Sequence, residues 1–242
     1  MKAVILCAGR GERLRPLTNN IPKVMIPIGG KPLLERHIEH FSKFGIKNFF
    51  INLHYLPNII KNHFRDGGRL GVKITYSYEN SLLGTGGVLT KFKEKLNERF
   101  ILLYGDVFSL LNIYKLERFH IGKKSKLTIV VRETDHPRDS DLVESDVNKK
   151  VKNLFFKPHA MIPRKFFGIS AIYLVEPDIL GILPKKTPFD FAQDFLPQIL
   201  KEGFPIFCYN TEEFIKDIGT KERYEAVLKK IKHDNFKNSS SN

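Results

Sequence analysis

The chain lacks what would cross-link it or anchor it in a membrane. Its two cysteines, Cys7 and Cys208, form neither a disulfide framework nor the close spacing of a metal site. No apolar run approaches the roughly 20 residues that a membrane helix needs. Only the short stretch 3–9 separates Lys2 from Arg10, too little for a signal peptide, so a cytoplasmic protein that meets no membrane is expected. There is no Cys/His cluster suited to zinc and no serine at a nucleophile elbow, which argues against a nucleophilic hydrolase. Internal repeats and coiled-coil heptads are absent as well. Acidic residues are scarce beside basic ones, 26 against 40, for a formal charge of +14. The excess falls in short clusters such as Lys123-Lys124-Ser125-Lys126 and Lys149-Lys150, at turns and helix ends. No basic helix or interleaved aromatics accompany them, which argues against a nucleic-acid surface and leaves a positive field able to steer small anions.

What is present is enough for one substantial core: 242 residues, 42% of them apolar. Strand-like runs at 3–7, 48–53, 73–78, 100–104, 127–132 and 205–209 alternate with helix-like stretches. The latter fall at 32–44, 57–64, 87–96, 113–119, 192–201 and 221–232. This alternation predicts a single α/β domain over 1–232, a Rossmann-like, mainly parallel mixed sheet with helices on both faces. Ligands in such folds gather at the carboxyl ends of the strands. The tail 233–242 is expected to fray. The segment 133–164, with Pro137, Pro158 and Pro163, reads as a substrate-facing insertion carrying a strand or two.

The most informative segment is the first: Ala3-Val4-Ile5-Leu6-Cys7-Ala8-Gly9-Arg10-Gly11-Glu12-Arg13-Leu14-Arg15-Pro16, followed by Ile21-Pro22-Lys23. A buried strand feeds a glycine turn that lets backbone N–H groups approach a phosphate. Arg13, Arg15 and Lys23 follow closely enough to neutralise a polyphosphate. No Gly-Lys-Ser/Thr closes a Walker A loop, and the third glycine of a dinucleotide fingerprint is missing. Four more motifs suit one site. Glu79-Asn80-Ser81-Leu82-Leu83-Gly84-Thr85-Gly86-Gly87 is a second glycine loop; Tyr104-Gly105-Asp106 ends a strand in a carboxylate. Phe156-Lys157-Pro158 supplies a cation, and Lys216-Asp217-Ile218-Gly219-Thr220 sets a carboxylate before the last helix. Singly, each has an ordinary reading, since aspartates after strands commonly form turns or cap helices.

Together these motifs resemble those of the sugar-1-phosphate nucleotidylyltransferases, over nearly the whole chain from Lys2 to Tyr224, the first motif continuing through Met25-Ile26-Pro27-Ile28-Gly29-Gly30-Lys31-Pro32-Leu33-Leu34-Glu35. With no hexapeptide repeats after Gly219, the chain is similar to the subgroup without a C-terminal β-helix. That family joins a nucleoside triphosphate to a sugar 1-phosphate and releases pyrophosphate. The resemblance implies that Leu6, Ala8, Gly9 and Gly11 lie along the nucleotide, with Glu79, Gly84, Thr85 and Gly86 around its base and ribose. It implies catalytic roles for Arg13, on the β- and γ-phosphates, and Lys23, on the α-phosphate. Asp106 and Asp217 would hold Mg²⁺, and Lys157, Asp141 and Gly168 would face the sugar phosphate. The chemistry suits these residue types, because two anions must meet in line and cations with Mg²⁺ supply the neutralisation.

Three departures stand out. Glu12 replaces a threonine, and Phe156 stands where many members have glutamate. Phe166-Phe167-Gly168-Ile169-Ser170-Ala171-Ile172-Tyr173-Leu174 lacks the usual asparagine–small–glycine order, so either Gly168 serves as the glycine or the pattern is lost at Ala171. Leu83–Gly87 resembles the loop of guanylyltransferases acting on mannose or heptose 1-phosphates, as does His136-Pro137-Arg138-Asp139-Ser140-Asp141-Leu142-Val143-Glu144, so GTP is expected. A uridylyltransferase for an N-acetyl sugar phosphate and a non-catalytic nucleotide-sugar-binding subunit are the alternatives. A homo-oligomer is compatible with the sequence.

Overall fold

The computed structural model describes residues 1–134 and 136–239, the last six by their backbone. β1 (Lys2–Leu6) enters the first glycine loop, and a short hairpin of β2 (Pro27–Ile28) and β3 (Lys31–Pro32) delivers the chain to α1 (Leu33–Lys43). Then come β4 (Asn48–Leu53), α2 (Pro57–Phe64) and β5 (Lys73–Tyr78). The one-turn helices α3 (Gly84–Gly87) and α4 (Leu89–Phe92) follow, with β6 (Phe100–Tyr104), β7 (Val107–Ser109) and α5 (Ile113–Gly122). The second half is richer in strand: β8 (Leu127–Arg132), β9 (Leu142–Ser145), β10 (Val151–Phe155) and β11 (Phe167–Val175). It closes with α6 (Leu196–Lys201), β12 (Ile206–Asn210), β13 (Ile215–Asp217) and α7 (Lys221–Ser239).

Nine strands, among the described residues, form one sheet along β10-β9-β11-β6-β1-β4-β5, with β8 paired to β11 and β12. β1 runs parallel to both neighbours, Leu6 lying in register with Asn52 of β4 and Tyr104 of β6. Period-two alternation divides the strands between two cores. Ala3, Ile5, Phe49, Ile51, Ile101 and Leu103 pack with Leu34, Ile38, Ile60 and Leu116 from α1, α2 and α5. Val4, Phe50, Phe100 and Leu102 face the other way, onto Leu89, Phe92, Leu196 and Ile199. Both faces are therefore covered, as the alternation requires. A third cluster, with Leu14, Ile26, Phe108, Ile218, Val227 and Ile231, seats α7 beneath β7 and the first loop.

Three differences from the sequence reading have physical causes. The expected helix over 87–96 is cut into short turns behind the glycine-rich run Gly84-Thr85-Gly86-Gly87, a weak helix former in which Gly84 and Gly86 pack against Phe189 and Gly87 against Leu83 and Thr187. β11 was not among the expected strands. Its end is buried and pairs antiparallel with β6 and β8, but its register slips between Ile169 and Tyr173, where Ala171 adopts φ +54°. That bulge spoils the alternation that marks a strand. The helix expected to end at 232 continues as α7 to Ser239, since no glycine or proline interrupts it after Lys221; residues 240–242 of the tail expected to fray lie outside the described residues.

Candidate active site

Beyond Leu6, Asn52 and Tyr104 the parallel strands stop together and two cavities open. The first, of about 550 Å³, is walled by Leu6, Ala8–Arg13, Lys23, Val24, Asn52, Glu79, Leu82, Gly84, Thr85, Tyr104–Asp106 and Gly219. The second, of about 690 Å³, takes residues of β7, β8, β11, the 133–141 segment, Lys157 and the β13–α7 junction. Arg13, Tyr104 and Asp106 line both, so the two are lobes of one cleft.

The first lobe is largely main chain. Gly11 turns at φ +66°, and a Cβ there would lie 2.9 Å from Thr18 Cγ2 and 3.0 Å from Lys23 Cβ, so glycine lets the loop close on its own anchors. Thr18 Oγ1 donates to the Gly11 carbonyl at 2.8 Å. A Cβ on Gly9 would meet nothing within 4 Å, so the loop faces open space there. Among the described residues no acceptor takes the N–H groups of Gly9, Arg10 or Gly11. Three unspent donors on a glycine turn form an anion-binding concavity.

Polar side chains in this lobe mostly brace the wall. The Cys7 N–H donates to Asn52 Oδ1 at 2.8 Å, Asn52 Nδ2 donates to Glu79 Oε1 at 2.7 Å, and the Leu83 N–H donates to Glu79 Oε2 at 2.9 Å. Glu79 is buried and its two oxygens are engaged, which ties three strand ends to the second glycine loop. Thr85 Oγ1 donates to Asp190 at 2.6 Å and accepts from the Phe191 N–H and the Tyr104 hydroxyl. Burial, then the charges of Asp190, Asp141 and Asp106, push the Tyr104 phenol up, so it serves as a neutral donor. Burial and Asp106 likewise push the Cys7 thiol up, which leaves no nucleophile at the loop. Burial lowers His37 to about 4, so its ring is neutral, and Nε2–H donates to the Gly105 carbonyl, fixing the turn that presents Asp106.

Where the lobes meet, charges alternate. Lys23 Nζ lies 2.5 Å from Asp106 Oδ2. β13 pairs antiparallel with β7, Asp217 opposite Val107, and the Ile218 N–H donates to the Asp106 carbonyl at 2.8 Å. This ladder brings Asp106 and Asp217 side by side from positions far apart in sequence. Burial acts to raise the Asp217 carboxyl. Hydrogen bonds from Arg223 and the Gly219 N–H, with the charges of Arg223 and Lys23, outweigh it and hold the group below the usual range. A Cβ on Gly219 would sit 2.6 Å from Asp217 Oδ1 and 3.2 Å from Arg13 Nη2, so glycine makes room for both. Two carboxylates without thiol or imidazole suit Mg²⁺, which keeps waters and phosphate in its other positions. No cluster of three or more metal-ligating side chains occurs among the described residues.

The second lobe is built from side chains. The Lys157 N–H donates to Asp141 Oδ1 at 3.2 Å, and its Nζ donates to the Asp139 carbonyl at 3.1 Å. Gly168 pairs with Arg132 and Leu142 in regular sheet, and a Cβ there would press on Thr134 at 3.1 Å. The left-handed backbone that favours glycine falls instead at Ala171, which also lines this lobe.

Leu6, Ala8, Gly9, Gly11, Arg13, Lys23, Glu79, Gly84, Thr85 and Asp106 thus share the first lobe, and Asp141, Lys157, Gly168 and Asp217 the second. Gly86 lines neither: its N–H donates to the Phe189 carbonyl and a Cβ would strike the Phe189 ring at 2.4 Å. It is a packing glycine, a correction to its expected place on the nucleotide. Arg15 and Phe156 are outside both lobes, the latter in a groove with Pro197 and Leu200. Sequence reasoning missed Arg10, Asn52, Tyr104, Arg132 and Arg223. Tyr104 and Arg10 stand inside sequence motifs that assign them no role, whereas Asn52 and Arg132 join the cleft only through strand register.

Two cation-lined lobes meet above the ends of the parallel strands, a geometry with room for two anionic ligands side by side. The chain belongs to the nucleotidyl transferase family, whose pattern matches residues 2–234. The D-glycero-alpha-D-manno-heptose 1-phosphate guanylyltransferase of Campylobacter jejuni is 32% identical over 231 residues, covering 94% of this chain and 99% of that protein. The UTP–glucose-1-phosphate uridylyltransferase of Synechocystis is 31% identical over 252 residues and covers 98% of this chain. This chain spans 65% of that longer relative's length. HddC from Yersinia pseudotuberculosis, whose structure is also known in complex with GMP-PN, is 27% identical; the uncomplexed structure has a TM-score of 0.79 and covers 95% of this chain and 99% of that one. No helix among the described residues is long and apolar enough to cross a membrane.

Proposed function

We propose that this protein is a sugar-1-phosphate nucleotidylyltransferase. The observation that carries the reading is the shared wall: Arg13, Tyr104 and Asp106 border both lobes, so a triphosphate in one and a sugar phosphate in the other come together there. An oxygen of the sugar phosphate attacks the α-phosphorus, the bond between the α-phosphorus and the bridging oxygen breaks, and pyrophosphate leaves with that oxygen. The attacking oxygen is already anionic, so no general base is needed. The open N–H groups of Gly9, Arg10 and Gly11 receive phosphate oxygens, and Arg13 neutralises the β- and γ-phosphates. Lys23 turns to the α-phosphate as its charge redistributes. Lys157 holds the sugar phosphate, and Asp141, with one oxygen occupied by the Lys157 N–H, accepts from a ring hydroxyl. Asp106 and Asp217 hold Mg²⁺, which supplies further neutralisation of phosphate charge when bound.

GTP with a mannose or heptose 1-phosphate is the pairing we favour. Support comes from the Campylobacter jejuni guanylyltransferase, which this chain matches almost end to end, and from the GMP-PN complex of HddC. The Synechocystis uridylyltransferase supports UTP as the second reading. The test is pyrophosphate release with each of four nucleoside triphosphates, Mg²⁺ and a panel of sugar 1-phosphates. The highest kcat/KM is expected for GTP with a manno-configured sugar phosphate. A UTP pair that wins clearly overturns the base assignment alone, whereas no release with any pair overturns the enzymatic reading in favour of a nucleotide-sugar-binding subunit.

A further inference from the structure

Asp217 is already held in the free protein. Nη1 of Arg223 lies 3.0 Å from its Oδ1 and 2.9 Å from its Oδ2, and the Gly219 N–H donates to Oδ1 at 2.8 Å. Because one guanidinium nitrogen serves both oxygens, Nε and Nη2 of Arg223 have no partner among the described residues. Arg223 stands near the start of α7, its position fixed by a helix that Val227 and Ile231 anchor in the third core. Together with Thr220 and Lys157 it lines the second lobe. Asp106 is held through one oxygen, Oδ2, by Lys23. Each carboxylate of the pair assigned to the metal therefore has a resident cation, and the four charges cancel.

A neutral cluster attracts a bare divalent cation weakly, since its carboxylates must first give up charge-assisted hydrogen bonds. A cation arriving on a triphosphate brings anionic ligands of its own and draws less on the protein. A guanidinium displaced from Asp217 has several N–H donors in a planar fork that matches a phosphate. Resting on the reading of Asp106 and Asp217 as the metal pair, we propose that Arg223 is a resident counter-cation that yields Asp217 to the metal and takes the phosphate of the sugar substrate in the adjoining lobe. Arg223 is thus a binding residue for the second substrate and a brake on metal uptake by the empty protein.

The test measures binding of bare Mn²⁺, from the electron-spin-resonance signal of the free ion, to wild type, Arg223→Gln, Arg223→Lys, Asp217→Asn and Asp106→Asn without nucleotide. Removing one charge-assisted bond from the carboxylate is expected to tighten Mn²⁺ binding by Arg223→Gln about tenfold. The KM for the sugar 1-phosphate rises by a similar factor while that for the nucleotide holds. Arg223→Lys, which keeps the charge without the fork, falls between and serves if the glutamine variant folds poorly. Arg223→Gln binding Mn²⁺ no better than wild type, with Asp217→Asn binding it worse, overturns the counter-cation role and leaves the metal pair standing. Equal Mn²⁺ binding by wild type, Asp106→Asn and Asp217→Asn overturns the metal pair and the proposal with it.

Discussion

The two lobes of the cleft are made of different material. The first is walled by Leu6, Ala8, Gly9, Gly11, Val24 and Gly84 beside Arg10, Arg13 and Lys23, and the polar side chains Asn52, Glu79 and Thr85 spend themselves on backbone, on one another and on Asp190 and Tyr104. Its open donors include the main-chain N–H groups of Gly9, Arg10 and Gly11. The second gathers Arg132, Asp141, Lys157, Asp217 and Arg223 from segments scattered over half the chain, and several of these pair with each other. A wall of backbone is fixed by strand ends and glycine turns and can bind only what the fold allows. A wall of charged side chains can be retuned one residue at a time, and its charges can change partners when a ligand arrives. The invariant half of a transfer reaction, the triphosphate, suits the first; the variable half, the sugar phosphate, suits the second.

The comparison breaks most readily at the junction, where Lys23 of the first lobe pairs with Asp106 on the shared wall. If Lys23 acts on charge that develops during transfer, Lys23→Ala lowers kcat by roughly a hundredfold or more. Both KM values should then stay within a few-fold of wild type. Steady-state kinetics with each substrate varied in turn checks this; a KM effect confined to the nucleotide makes Lys23 a ground-state contact of the first lobe. A thermal melt accompanies the assay, because Asp106 loses its ion-pair partner.

A smaller effect tests whether the first lobe depends on backbone. Gly84 adopts φ +79°, and a Cβ there would lie 2.3 Å from the Phe189 carbonyl oxygen, which is main chain and cannot swing aside. Left-handed backbone costs an alanine about 1–2 kcal/mol, and the contact adds to it. Gly84→Ala should therefore lose about 2 kcal/mol in denaturant unfolding and raise the KM for the nucleotide. The KM for the sugar phosphate should hold. Equal damage to both KM values means that the lobes are not mechanically separate.

The same contrast explains what was legible in the sequence. β1, β4, β5 and β6 could be read because strands buried in a parallel sheet are short apolar runs between turns, and their ends located the first lobe. Gly9, Gly11 and Gly84 could be read because a backbone site needs glycine at set places. Gly86 misled because a glycine required by close packing looks identical in sequence to one beside a ligand; Gly84 also packs on Phe189, yet lines the lobe. In the second lobe, Asp217 and Lys157 came from motifs, but Arg132 and Arg223 had no signal of their own. Arg132 reaches the cleft through its register with Gly168 on β11, a strand hidden by its bulge. Arg223 looked like one more charge on an exposed helix until β13 folded against β7 and brought Asp217 within its reach.

The smallest expected effect lies at Ala171, where the second lobe does depend on backbone. Its φ of +54° strains an alanine by about 1–2 kcal/mol, whereas glycine adopts this region freely. Ala171→Gly relieves the strain but loosens the unfolded chain, which offsets about 0.4–1 kcal/mol. The net is a gain of about 0.5 kcal/mol, a rise in Tm of roughly 1–2 °C for a chain of this size. Because Ala171 lines the second lobe and not the first, any kinetic change should appear in the KM for the sugar phosphate alone. Gly168→Ala makes the control. Gly168 lies in regular sheet against Thr134, so the added methyl crowds the strand and should destabilise. If Ala171→Gly lowers Tm while Gly168→Ala leaves it unchanged, neither position carries the expected cost: the strand takes a methyl at 168, and alanine accommodates the bulge at 171 without strain.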